Sequence, residues 1–176
     1  KGADRGIQIN VDSVGAVDPL VTASLIADAV KEEKFDIVFS GLQSDDLGMG
    51  QTGIILGEML GMSTASLVME TEISDGRIKV KRELEAGYFQ WVTMDLPSSI
   101  TIQSGLNTPR YPSLKGIMGA KKKEINVLTP EVVQSKQSME KVYIPQSDKQ
   151  TVMIDGSADQ IVEKLVETFR NDIKVI

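Results

Sequence analysis

The chain has 176 residues, 41% of them hydrophobic and 25% charged, with a formal net charge of −6 and neither cysteine nor histidine. Those two absences exclude disulfides, thiolate nucleophiles, imidazole bases and Cys- or His-ligated metals within these residues, but do not exclude catalysis by carboxylates or lysines. An acidic chain with 5% aromatic content also lacks the basic face that nucleic-acid binding requires.

In chain order, a short polar opening leads into the alternating run Gly6-Ile7-Gln8-Ile9-Asn10-Val11, which suits a strand. Asp18-Pro19 opens a helix to about Lys34, with Leu20, Ala23, Ser24, Ala27 and Val30 as its small or apolar stripe. Phe35 to Ser40 is a continuous apolar strand of the kind buried in a parallel sheet. Gln51 to Leu60 reads as a helix with Ile54, Ile55 and Met59 facing inward. Strand, helix, strand, helix is the pattern of an α/β layer.

The pattern then changes. Ala65 to Glu72 is a strand, Asp75-Gly76 a hairpin turn, and Ile78 to Leu84 an alternating partner strand. Gly87 breaks that run, Tyr88 to Leu96 is a further strand, and Pro97-Ser98 leads into Ile100-Thr101-Ile102. The middle third is therefore a β-meander inserted in, or flanking, the α/β core. After a loop with Pro109 and Pro112, Lys115 to Lys122 is a short helix and Ile125 to Leu128 a last core strand. Residues 129–150 are polar and without period, an extended arm or linker. Ser157 with Gln160 forms a capping box, and the helix to about Arg170 has Ile161, Leu165, Val166 and Phe169 on one face. The division this predicts is an α/β nucleotide-binding domain over 1–128, followed by an arm and helix over 129–176 that dock elsewhere. The chain has no run of eighteen apolar residues, and it starts at Lys1, so a leader ahead of it is not judged. The lack of cysteine fits a reducing compartment.

The stretch from Phe35 to Met62 places a glycine-rich acidic loop between a strand and a helix start. Gly41, Gly48, Gly50 and Gly53 allow close approach of a ligand or positive φ. Gln51 and Thr52 fall where the helix begins, so their N–H groups and the Thr52 hydroxyl suit a phosphate. Asp45 and Asp46 would repel a phosphate; they fit capping of the loop, acceptance of backbone N–H bonds, or contact with ribose hydroxyls. The loop is neither a Walker A sequence nor GxGxxG. A glycine-rich turn that binds nothing explains the same residues.

The blocks SGLQSDDLGMGQTG, VKRELEAG and LNTPRYPSLKGIMGAKKKEI, with GADRGI before them, resemble the β subunit of electron-transfer flavoprotein over most of residues 1–130, in sequence and in spacing. The resemblance implies a Rossmann-like adenine-nucleotide layer carrying a β-meander and a C-terminal arm. It also implies a heterodimer whose α subunit holds the redox-active FAD and whose β subunit holds AMP structurally. The complex takes electrons from acyl-CoA dehydrogenases and related flavoenzymes and passes them to a membrane quinone oxidoreductase. Such a subunit is an electron carrier of fatty acid β-oxidation without catalytic residues of its own, in the cytoplasm of a bacterium or the mitochondrial matrix of a eukaryote. Gly41, Leu42, Gln43, Ser44, Asp45, Asp46, Gly50, Gln51, Thr52 and Gly53 would then form the AMP loop.

By the same resemblance Pro109, Arg110, Tyr111, Leu114, Ile117 and Met118 belong to the loop that docks on the dehydrogenase, with Leu114 as anchor. Read without the resemblance, Leu114 caps the local core, and Ala120-Lys121-Lys122-Lys123 is a solvated basic face; beside a docking loop the lysines also suit an acidic partner. Gly119 departs from a lysine in the family pattern. The QTG of residues 51–53 and the NTPRY of residues 107–111 favour the AMP-binding type over the bifurcating branch, which binds a second FAD. The resemblance also implies a further N-terminal portion with the first strand, so the chain reads as an N-terminally incomplete β subunit. Two other readings remain beside it. A universal-stress-like nucleotide-binding domain explains the glycine loop but not the residues from 107 to 123. A purely structural interaction module makes the arm its useful part.

Overall fold

A computed structural model describes residues 1–11, 18–131, 134–138, 140–146 and 151–176. They divide into two compact units, Lys1–Met139 and Glu140–Ile176. The fold is mixed α/β, as expected.

In the first unit, strand β1 (Gly6–Ile9) pairs in parallel with β7 (Ile125–Leu128). Helix α1 (Pro19–Val30) follows Asp18, whose carboxylate accepts a hydrogen bond from Leu20 N at 2.8 Å, and Pro19 sits at the first turn. The helix stops four residues before the expected Lys34. Glu32 and Glu33 come where a helix C-terminus disfavours negative charge; Glu33 is drawn off to Arg5, and Lys34 turns left-handed at φ 51°.

Strand β2 (Ile37–Gly41) leads to α2 (Thr52–Met59), and β3 (Ser63–Ser74), β4 (Arg77–Glu83) and β5 (Phe89–Asp95) form the meander. Asp75 and Gly76 both take positive φ in the two-residue turn between β3 and β4, as the sequence predicts. Strand β6 (Ser98–Ile102) then enters between β2 and β3, parallel to both, giving the order β2-β6-β3-β4-β5. Its polar start, Ser98-Ser99, is fully buried. Ser98 Oγ donates to Asp95 O at 2.9 Å and Ser99 Oγ to Gly53 O at 3.2 Å, so the hydroxyls find partners inside. Helix α3 (Leu114–Ala120) precedes β7.

The faces of β2 differ. Val38 packs with Ala23, Ala27 and Leu56 under the helices, whereas Ile37 joins Ala65, Val68, Ile78, Val80, Met94 and Ile100. A fully buried aliphatic side chain stabilises by roughly 1.5–3 kcal/mol. The second cluster has four of these and the helix layer mostly alanine, so the meander packed on β6 is the main source of stability.

Three expectations about burial are corrected. Strand β2 is not buried: Ile37 and Val38 are half-buried, and Phe35 and Phe39 are exposed. In α2 the residues turned inward are Gly53, Leu56 and Gly57, while Ile54 and Ile55 are half-buried and Met59 is exposed. The helix lies too close to the sheet for large side chains: a Cβ on Gly57 would stand 2.4 Å from Thr64 Cγ2, and one on Gly53 2.0 Å from Ser40 Oγ. Strand β7 is not a core strand either. It pairs with β1 only, and Ile125 and Val127 are exposed.

In the second unit, helix α4 (Ala158–Thr168) begins at the predicted capping box: Ser157 Oγ accepts from Gln160 N and Gln160 Oε1 from Ser157 N. A wider helical turn continues it over Phe169–Ile173. Among the described residues of this unit none is buried, and Leu165, Val166 and Phe169 are exposed. No helix among the described residues is long and apolar enough to cross a membrane.

Candidate functional site

The carboxyl end of β2, the start of α1 and the start of α2 enclose a cleft of about 320 Å³. It is lined by Pro19, by Gly41, Leu42, Gln43 and Ser44 after β2, and by Leu47, Met49, Gly50, Gln51 and Thr52 before and within α2. The sharp turns of this loop are made by Gly48 and Gly50, at φ 60° and 63°, where a side chain would be strained. Nothing lies within 4 Å of the position a Cβ would take on Gly41, which leaves open space against the backbone at the strand end.

Helix α2 reaches this cleft with an open N-terminus. Gln51 makes no side-chain cap bond, and the ladder starts with Ile54 and Ile55 N donating to Gln51 O. The Thr52 and Gly53 N–H groups therefore lack an intrahelical acceptor and lie where an anion is favoured. Pro19, Leu42, Leu47 and Met49 give the cleft an apolar share suited to a flat ring. Among the described residues no lysine or arginine lines it. The lining thus fits an anionic group bound by N–H and hydroxyl donors, with an apolar part beside it.

The structure brings together seven of the ten loop residues picked out by sequence and sets three outside the lining. Gly41, Leu42, Gln43, Ser44, Gly50, Gln51 and Thr52 line the cleft, and Gly53 lies just inside α2, pressed on Ser40 and Thr101. Asp45 and Asp46 stand outside the lining and exposed. The Ser44 hydroxyl and the Leu47 N–H, the latter at 2.8 Å, hold the Asp46 carboxyl below its ordinary range. Of the roles open to it, loop capping is the one the geometry shows. Sequence reasoning passed over Pro19, Leu47 and Met49; apolar side chains in a glycine-rich acidic loop were the available signal.

Residues 109–118 lie on a different element. Ser113 caps α3, its Oγ accepting from Gly116 N at 3.1 Å. Leu114, Ile117 and Met118 follow at the i, i+3, i+4 spacing that shares one helix side, and all three are exposed, Leu114 by 75%. That exposure removes the alternative in which Leu114 caps the local core. Tyr111 is 97% exposed, and Pro109 and Arg110 are exposed with it. Lys121, Lys122 and Lys123 follow the helix. A second hollow of about 460 Å³, lined by Phe39, Ile102, Gly105, Leu106 and Asn107, opens beside the end of β6. Among the described residues no cluster of three or more acidic groups offers a metal site.

A parallel β2–β6 pair with a ligand-sized cleft at its carboxyl end, under an uncapped helix start, defines an α/β protein with an open crevice at the strand ends. The electron transfer flavoprotein domain family matches residues 1–133, and the chain belongs to that family. It is 35% identical to the electron transfer flavoprotein subunit beta of Methylophilus methylotrophus over 99% of this chain and 70% of that one. It is 33% identical to the subunit of the same name from Syntrophomonas wolfei over 99% of this chain and 68% of that one. A third, from Bradyrhizobium diazoefficiens, is 39% identical over 70% of this chain and 49% of its own length.

Proposed function

We propose that the chain is the β subunit of a heterodimeric electron-transfer flavoprotein and holds AMP in the cleft between β2 and α2. The observation that carries this reading is the cleft itself. Its donors are N–H groups and the Thr52 hydroxyl, its floor is apolar, and its volume lies at the small end of ligand pockets, which run from about 300 to 1,000 Å³. Gln51 and Thr52 hold the phosphate, Gly41 to Ser44 pass along the nucleoside, and Pro19, Leu47 and Met49 exclude water from the ring. The ligand acts by binding only the folded state, which stabilises it.

Electron transfer is supplied by FAD held by the α subunit. This chain's own part is to support that subunit and to present donors to it. Leu114, Ile117 and Met118 form the apolar centre of a docking patch for an acyl-CoA dehydrogenase or related flavoenzyme, with Tyr111 and Arg110 beside it; a quinone oxidoreductase at the membrane receives the electrons. An exposed aliphatic anchor among polar neighbours gains most from filling a partner's pocket. The arm and α4 dock on the α subunit.

The test is to purify the chain with its α subunit, denature the complex and quantify the released nucleotides. One FAD and one AMP per heterodimer is the expected result. Two FAD would replace this reading with the bifurcating type, and a complex with no adenine nucleotide beyond the single FAD would remove the AMP site.

A further inference from the structure

Asp18 is 4% exposed, yet none of the ion pairs among the described residues includes it. A buried carboxylate is costly unless its oxygens are hydrogen-bonded. One oxygen, Oδ1, accepts from Leu20 N within its own helix cap. The other, Oδ2, is held from far along the chain: Ser135 Oγ donates to it at 2.8 Å and Lys136 N at 3.3 Å. Ser135 Oγ also lies 2.8 Å from Gln137 O and accepts from Gln137 N at 3.1 Å. A hydroxyl has one proton, and the charged acceptor makes the stronger bond. The Gln137 N–H bond fixes the oxygen, so the proton is directed to Asp18.

Asp18 is also the residue before Pro19, which lines the cleft. The carboxylate therefore sits one residue behind a lining that suits an anion and, among the described residues, includes no cation.

We propose that Ser135 is a positioning residue for the cleft: by binding Asp18 Oδ2 it holds the carboxylate at the cap of α1, so that an anionic nucleotide enters without meeting it. This rests on the nucleotide reading above. With the clasp broken, Oδ1 keeps its Leu20 N–H bond but Oδ2 keeps only the longer Lys136 N–H bond, so the carboxylate's charge is less well compensated and repels a phosphate more strongly. The penalty falls on charged ligands and spares neutral ones. The same contact ties residues 135–137 to the cleft, so ligand and arm segment stabilise each other.

The experiment is titration calorimetry of AMP and of adenosine on the chain purified with its α subunit and stripped of AMP. Ser135→Ala is expected to weaken AMP about fivefold to tenfold, the scale of one lost charge-assisted hydrogen bond, with adenosine changed less than about twofold. Ser135→Thr restores AMP binding. Asp18→Asn added to Ser135→Ala also restores it, because Asn still caps α1 and no charge remains to confine. Equal losses for AMP and adenosine, or no recovery in the double variant, would overturn the positioning role. So would unchanged AMP binding in Ser135→Ala. If the wild-type complex binds neither ligand, the nucleotide reading itself fails, and that outcome is distinct from the others.

Discussion

Gly57 of α2 lies against Ser99 of β6 so closely that a Cβ on it would stand 2.7 Å from Ser99 Cβ, and 2.4 Å from the Thr64 methyl on β3. The helix is thus seated directly on the sheet, and its first turn is placed at the end of β2 by this contact. Gly57→Ala gains about 1 kcal/mol of helix propensity. Against that, overpacking a rigid contact costs about 1–3 kcal/mol, and two strand neighbours cannot both withdraw. Thermal unfolding is expected to show a lower Tm and a weaker response to added AMP. A Tm at or above that of the parent chain would show that α2 shifts freely, and the seating argument would fail.

Thr52 offers its hydroxyl at the mouth of the uncapped helix. Thr52→Val keeps the shape and removes one donor, a net loss of about 0.5–1.5 kcal/mol for a neutral bond and more for one to a phosphate. AMP affinity should fall about tenfold, and the Tm rise on adding AMP should shrink with it. Unchanged nucleotide content in the purified complex would move the phosphate elsewhere.

Leu114 is 75% exposed, so its truncation costs the fold almost nothing. Leu114→Ala should leave Tm, heterodimer and FAD content as they are. Docking on the dehydrogenase should weaken by about 2 kcal/mol, the size expected of an interface anchor. The readout is electron-transfer rate against dehydrogenase concentration; coincident curves for the two proteins would remove Leu114 from the interface.

The Asp18 carboxyl is held below its ordinary range by the Ser135 hydroxyl, then by the Leu20 N–H. A lowered folded-state value means that the charged form stabilises the fold. That contribution is complete above the ordinary aspartate value of about 3.9 and is lost as pH falls from there through the lowered one. Asp18→Asn should therefore lower stability at neutral pH and flatten the acid limb, so that the two stability–pH curves converge below about pH 4. An acid limb of the same slope in both proteins would mean that the clasp does not titrate.

Local chemistry made much of this legible in advance. The Asp18-Pro19 helix start, the Asp75-Gly76 turn and the Ser157–Gln160 box each act within four residues, and each stands where the sequence puts it. The glycine loop was legible for a similar reason, since its positive φ values and its helix start are backbone properties. Burial was less so. Ile54, Ile55 and Met59 are the apolar residues of α2 that the pattern turns inward, but distance to the sheet decides which side packs, and Leu56 flanked by Gly53 and Gly57 fits there. Burial of the polar Ser99 was not legible, because its hydroxyl is satisfied by Gly53 O, 46 positions away, whereas Ser98 finds Asp95 O three residues back. The bond between Asp18 and Ser135 joins positions 117 apart, and no periodicity carries that information.

The second unit has none of this internal support. An isolated helix of eleven residues is marginal in water, and the apolar side chains of α4 stand open rather than packed. Whatever covers them sets how long they last in a cell. If the α subunit covers them, chain made in excess of that subunit is expected to be trimmed first from residue 140 onward, so that limited proteolysis with and without it reports the covering.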